Sequence, residues 1–387
     1  MPDLFSPILL GDLQLSNRII MAPLTRMRAK GGLAGPLHVL HYAQRSSPGS
    51  LLIQEATVVN ETGEPYRFVP KMYTQEHCDS WKPVCQAVHE KGSFIYLQLW
   101  HAGRVSRKRL QPNGQAPVSA SATRVGAGGD LGKAGDVARA LTTQEVKQYI
   151  QDYRRAARLA REAGFDGVEI HGANGYLPHQ FTESSTNKRD DEYGGSIEKR
   201  ARFLFEIVAE CSKEFPPSRI GVRLSPFGFF NDMFDESPIE TYTYILKEMN
   251  KYKIGFVHFI EPRLAGDDSE EARAGFSEGE TSKRYNKDIV SLKCFQGLYT
   301  AGKTMIAGGY TPASGNQVIK DGTYDMVAYG RHYISNPDIV SRMQRGLPLA
   351  HYNRKTFYGP NVPNDFSVGY VDYPTWEEDQ AAQKAKL

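Results

Sequence analysis

The chain has 387 residues, of which 40% are hydrophobic, 24% charged and 11% aromatic; that composition excludes global disorder and suits either two to three domains or one barrel with insertions. Lysine and arginine (47) nearly balance aspartate and glutamate (44) for a formal charge of +3, far from the basicity of a nucleic-acid scaffold. Cys78, Cys85, Cys211 and Cys294 are too scattered for a zinc or iron–sulfur ligand set and too sparse for a disulfide framework, which suits a reducing compartment.

Short β-rich runs recur along the chain, and most are followed by a longer stretch of helical period. Strands are predicted over 18–23, 50–57, 93–100, 166–171, 219–225, 255–261, 303–308 and 325–330. After the third strand, residues 126–135 form a Gly-rich loop, and the run Arg104, Arg107, Lys108, Arg109 is expected to be a solvated loop. Val146, Ile150, Tyr153, Ala157 and Ala160 then share one helix face behind a Thr142-x-x-Glu145 capping box, and Gly164 stops that helix. Ile197, Ala201, Leu204, Val208 and Cys211 make a second stripe. After the sixth strand, 261–283 is polar and Glu-rich, and Asn336-Pro337-Asp338 predicts an N-cap with proline in the first turn of a further helix. Eight strands alternating with helices and no linker predict an α/β fold: one (β/α)8 TIM barrel over 1–359, with extended loops at its C-terminal face. Residues 360–387 then form a C-terminal tail.

The N-terminus has no basic region ahead of an apolar stretch, and no apolar run approaches about 18 residues, so a protein neither secreted nor membrane-spanning is expected. The expected location is cytoplasmic. The alternative is peroxisomal, because Ala385-Lys386-Leu387 is a conservative variant of the Ser-Lys-Leu address.

Barrel chemistry is built at the C-terminal strand ends, and these are polar here: Thr25, Glu55, Thr57, Gln98, His101, His171, Asn174 and Arg223. An arginine inside an apolar strand costs several kcal/mol of desolvation unless an acceptor meets it, so Arg223 wants an anionic partner in the mouth or a structural salt bridge. Gly308-Gly309 and Gly330-Arg331 follow strands seven and eight, where backbone N–H groups in this architecture receive phosphate. Neither G-x-G-x-x-G after a strand nor a P-loop occurs. His38 and His41 could be a helical metal pair but lack a third ligand, so no metal site is expected. His171, Asn174 and Tyr176 put an imidazole, an amide and a phenol on one loop. The first two can donate to a developing oxyanion, and a phenol, ordinarily protonated at neutral pH, can serve as a general acid.

Six segments together resemble the old yellow enzyme family of flavin mononucleotide (FMN) ene-reductases, which includes the oxophytodienoate reductases. They are Ala22-Pro23-Leu24-Thr25-Arg26, Gln98-Leu99-Trp100-His101-Ala102-Gly103-Arg104, the run 167–177 (GVEIHGANGYL), Tyr193-Gly194-Gly195-Ser196, Gly221-Val222-Arg223-Leu224-Ser225 and Tyr329-Gly330-Arg331. The resemblance implies that Pro23, Leu24 and Thr25 lie against the flavin N5 and O4 region, with Ala56 in close approach and Gln98 on the pyrimidine edge. It implies Arg223 beside N1 and Gly308, Gly309, Gly330 and Arg331 around the phosphate. His171 and Asn174 would grip a substrate carbonyl, and Tyr176 would protonate the α-carbon after hydride reaches the β-carbon. Tyr66, Trp100, Phe357 and Tyr358 would shape the pocket. NADPH would bind transiently in the same pocket as hydride donor, in a ping-pong cycle. The expected partner is a small enone or enal, with no nucleic acid or membrane, in a monomer or homodimer. Two positions depart from the family pattern, Pro70-Lys71 in place of Pro-Gly and Lys199 in place of asparagine; both concern the pocket rim. The alternatives are a specialised pathway reductase or isomerase of the same family, and a non-redox phosphate-binding barrel such as an aldolase or isomerase.

Overall fold

The computed structural model describes residues 1–126, 134–262, 290–360 and 365–385. Eight parallel strands close into a barrel: β1 (Ile19–Met21), β2 (Leu51–Val58), β3 (Phe94–Trp100), β4 (Gly167–Gly172), β5 (Ile220–Leu224), β6 (Phe256–Ile260), β7 (Lys303–Ala307) and β8 (Met326–Tyr329). Each strand pairs with the next in sequence, and β8 closes on β1. All eight lie within a residue or two of the runs predicted from sequence.

The strands are apolar on both faces because both are covered: every residue of β2 is buried. Outside the barrel, helices α1 (Pro36–Gln44), α2 (Gln75–Glu90), α3 (Thr143–Ala163), α4 (Leu177–Thr182), α5 (Ile197–Cys211) and α6 (Pro238–Met249) fill the crossings from β1 to β6, α7 (Pro312–Lys320) joins β7 to β8, and α8 (Arg331–Ser335) and α9 (Ile339–Gln344) follow β8. Inside, Ile20, Ile53, Tyr96, Phe256, Met305 and Met326 fill the floor, and a hairpin of Ile8–Leu10 and Leu13–Leu15 plugs the bottom. Gly167 and Gly221 make room for this filling, since a Cβ at either would run into the ring of Tyr96 or Phe256. With the floor packed solid, the open end is the C-terminal one.

Local signals explain most helix ends. Thr142 Oγ1 accepts from the Glu145 N–H (3.2 Å), Glu145 accepts from the Thr142 N–H (2.8 Å), and Gly164 ends α3 at φ +99°. One expectation needs correction: Asn336 does not cap α9, which starts behind Asp338. The Asn336 amide instead donates to the carbonyls of His332 (2.9 Å) and Ala350 (3.1 Å), tying the end of α8 to the chain beyond α9. The tail packs Tyr370 into the protein and ends in α10 (Trp376–Lys384), capped by Thr375 and Glu378. Most of the predicted polar stretch 261–283, most of the Gly-rich loop 126–135 and the last two residues of the Ala-Lys-Leu tripeptide lie outside the described residues. Among the described residues, no helix is long and apolar enough to cross a membrane.

Candidate active site

A cleft of about 590 Å³ opens at the C-terminal end of the barrel. Its lining brings together Pro23, Leu24 and Thr25 after β1, Asn174 and Tyr176 after β4, Arg223 of β5, Gly308 and Gly309 after β7, and Gly330 and Arg331 after β8. Tyr66, Phe357 and Tyr358 stand at its rim. Ala56, Gln98, Trp100 and His171 are not part of this lining; they are buried directly behind it.

Lateral register sets the floor of the cleft. His171, Arg223 and His258 are paired side by side across β4, β5 and β6, and Gln98 of β3 pairs with Glu169 of β4. Arg223 faces the cleft, and its Nε is buried with no hydrogen-bond partner among the described residues. Burial lowers its pKa, opposed by Glu169 and Tyr176, yet a guanidinium keeps its charge at neutral pH. A half-buried cation whose Nε is cut off from solvent in this way is a stored demand for acceptors.

The loop after β4 is pinned from several directions. Asn174 takes the left-handed conformation at φ +57°, which asparagine tolerates. Its N–H donates to Ser225 Oγ (3.0 Å), and its carbonyl accepts from Asn231 Nδ2 (2.9 Å). The Gly175 N–H donates to His179 Nδ1 (2.9 Å), and His179 Nε2 is 2.6 Å from Glu183. Tyr176 is 7% exposed, standing edge-on to Trp100 (5.0 Å between centroids) and to His171 (4.8 Å). His171 Nδ1 accepts from the Ala173 N–H (3.4 Å), so its proton sits on Nε2. Burial, then the cation of Arg223, holds the His171 pKa well below its usual value. The ring is therefore a neutral N–H donor.

On the opposite wall, Gly308 and Gly309 have φ of +139° and +75°, exposing backbone as a side chain at these angles could not. Arg331 begins α8 and donates to the Tyr352 hydroxyl (3.1 Å), over whose ring it also lies. The β1 loop is held by Glu55, whose Oε2 accepts from the Arg26 N–H (3.0 Å). Burial raises the Glu55 pKa to about 7.

One sequence expectation fails. Arg104 is buried, not solvated: it donates to the carbonyls of Arg124 (3.2 Å) and Asn231 (2.7 Å), joining two loops of the mouth. His38 Nδ1 accepts from the Gly35 N–H (3.0 Å) and His41 Nδ1 meets the Tyr370 carbonyl (2.8 Å). The departure at Lys71 is explained by an ion pair with Glu64 (2.8 Å). The sequence reading missed Met27, Phe229, Phe230, Glu261 and Tyr310 in the lining, and beneath it Glu169 and His258. The Phe227-Gly228-Phe229-Phe230 run after β5 was a visible signal for the rim, and an acidic residue in the apolar strand GVEIH was one for the floor.

The sequence model described as the NADH:flavin oxidoreductase / NADH oxidase family matches residues 3–350. The chain is 44% identical over 377 residues to 12-oxophytodienoate reductase 1 of Oryza sativa subsp. japonica, covering 97% of this chain and 93% of that protein. It is 40% identical to 12-oxophytodienoate reductase 2 of Arabidopsis thaliana, covering 97% and 96%. Among solved structures, morphinone reductase superposes with a TM-score of 0.84 at 38% identity over 98% of this chain and 97% of that one. The old yellow enzyme homologue from Zymomonas mobilis gives 0.85 at 34% identity, over 96% and 99%.

Proposed function

The chain belongs to the NADH:flavin oxidoreductase / NADH oxidase family and is a flavin oxidoreductase of the old yellow enzyme type, and from that premise we propose that it uses NADPH to reduce the activated C=C bond of α,β-unsaturated aldehydes and ketones. The observation that carries this reading is Arg223, a cation without a protein acceptor, facing the same cleft as Asn174 and Tyr176 and lying beside His171.

FMN, when bound, supplies the hydride relay between the nicotinamide and the β-carbon of the enone. The residues present fit such a group. Arg223 offers its unpaired N–H groups to the electron-rich edge of an isoalloxazine, stabilising the charge that reduction adds. Gln98 and Ala56 bound the same end, and Pro23, Leu24 and Thr25 present backbone and hydroxyl to its other edge. Gly308, Gly309, Gly330 and Arg331 offer N–H groups and a cation to the phosphate.

His171 Nε2–H and the Asn174 amide donate to the carbonyl oxygen of the enone, drawing electron density away from the β-carbon. Tyr176 passes its hydroxyl proton to the α-carbon and regains one from solvent, so each turnover consumes one NADPH and one proton per C=C bond reduced. Trp100, packed edge-on, keeps the phenol aimed; Tyr66, Phe357 and Tyr358 shape the entrance. Residues 1–359 form the catalytic barrel and 360–387 a tail, in a cytoplasmic monomer or homodimer. The family match sets the non-redox barrel aside, while a specialised pathway substrate remains a refinement of the same chemistry.

The test is an anaerobic titration of the FMN-loaded protein. NADPH is expected to bleach the flavin absorption and a simple cyclic enone to restore it. A flavin that NADPH bleaches but no enone reoxidises contradicts the proposed reaction.

A further inference from the structure

Outside the lining of the cleft, three polar side chains of the barrel interior are joined by hydrogen bonds, one residue pair below Arg223 in the register of β4 and β5. Gln98 Nε2 donates to Glu169 Oε2 (2.6 Å), and His258 Nδ1 meets Glu169 Oε1 (2.7 Å). Glu169 and His258 are fully buried, and His258 is the lateral neighbour of Arg223. The carboxylate oxygens of Glu169 thus meet the Gln98 amide and the His258 ring, and Glu169 attracts the nearby cation of Arg223.

Chemistry fixes the orientation of each member. A carboxylate can only accept, so Gln98 must turn its NH2 group down toward Glu169 and its carbonyl oxygen away from it. Burial lowers the His258 pKa against the upward pull of Glu169, with Arg223 adding to the lowering, so its single proton lies on Nδ1 in the bond to Glu169. The remaining His258 Nε2 is buried with no partner among the described residues, and an unpaired lone pair there is less costly than an unpaired N–H donor. The cation of Arg223 is thus faced by the cleft above and one carboxylate below.

We propose that Glu169 is a positioning and charge-balancing residue for the flavin end of the cleft: it locks the amide of Gln98 and partly offsets the cation of Arg223, setting the reduction potential of the bound flavin. This rests on the cleft seating FMN as argued above. A reduced flavin carries added negative charge, so a fixed carboxylate below it favours the oxidised form while Arg223 favours the reduced one. Glu169 acts through Gln98 and through its field; it touches neither flavin nor substrate.

The experiment measures the two-electron midpoint potential and the FMN dissociation constant of wild type, Glu169→Gln and Glu169→Asp. Glu169→Gln, which keeps a side chain able to bond Gln98 and His258, is expected to favour reduction at least tenfold, about 30 mV upward, with FMN affinity within tenfold of wild type. Glu169→Asp keeps the charge but withdraws it from Gln98, so its potential should stay within twofold of wild type in equilibrium constant while FMN affinity falls several-fold. Glu169→Met is a second route to the charge-free protein should the glutamine variant not fold. An unchanged potential in the charge-free variant overturns the charge-balancing role, and unchanged FMN affinity in Glu169→Asp overturns the positioning role. Wild-type protein that takes up no FMN at all would instead overturn the reading of the cleft itself.

Discussion

Two regions of this barrel hold arginines, one set buried and one side chain half-buried, and they treat them in opposite ways. Behind the β1 loop, Arg45 donates to the carbonyls of Tyr333 (2.8 Å), His41 (3.1 Å) and Ile334 (2.6 Å). Arg28 donates to those of Phe357 (2.9 Å), Thr356 (2.9 Å) and Val368 (3.0 Å). Arg26 reaches Phe357 (2.9 Å) and Gly369 (2.5 Å), leaving only Nη1 without a partner among the described residues. Apart from the His41 carbonyl, these cations are met by main-chain oxygens of the C-terminal third, and they staple it to the barrel. Arg223, in the mouth, has no protein acceptor in hydrogen-bond reach among the described residues. The first set is saturated by the fold; the second leaves its N–H groups open toward the cleft.

The sharpest break between the binding machinery and the chemistry it supports comes from Tyr176. Tyr176→Phe is expected to slow enone reoxidation by about 10²- to 10⁴-fold while reduction by NADPH keeps its wild-type rate; rapid mixing of the two half-reactions checks this, and equal damage to both contradicts the proton-donor role. Next, Arg45→Met strands three buried carbonyls and should cost about 3–5 kcal/mol in denaturant unfolding. Arg223→Met should cost the apoprotein much less, because the residue removed makes no hydrogen bond to the protein among the described residues. Equal losses for the two would erase the distinction drawn above.

Glu55, the carboxylate beside Arg26, sharpens the same contrast through pH. Its folded-state pKa of about 7 lies above the ordinary 4.5, so the folded protein binds the proton more tightly than the unfolded chain. Its contribution is fully present below about pH 4.5 and is lost as pH rises through about 7, amounting to at most about 3 kcal/mol. Glu55→Gln should flatten that part of the stability–pH profile, and an unaltered slope would show that another group titrates there.

Much of this was legible in the chain because the deciding forces were local. Eight apolar runs mark strands buried on both faces, Thr142-x-x-Glu145 and Gly164 write the ends of α3, and the polar strand ends mark the mouth. What escaped was decided by distant partners. Arg104 sits in a run of basic residues that reads as solvated, yet carbonyls after β5 bury it. Asn336 has a capping side chain, but the Ala350 carbonyl claims it. Glu169 and His258 are 89 positions apart, and only the closure of the barrel makes them neighbours. The helix in the tail is written locally as well, in the Thr375-x-x-Glu378 capping box.

The most direct measurement is FMN titration of the apoprotein, comparing wild type with Arg223→Met. Losing charge-assisted hydrogen bonds of about 1.5–3 kcal/mol should weaken FMN binding by roughly 10- to 100-fold in a protein whose fold is intact. Equal FMN affinity for the two proteins would mean that the unpaired guanidinium does not face the flavin, and the site would have to be built differently.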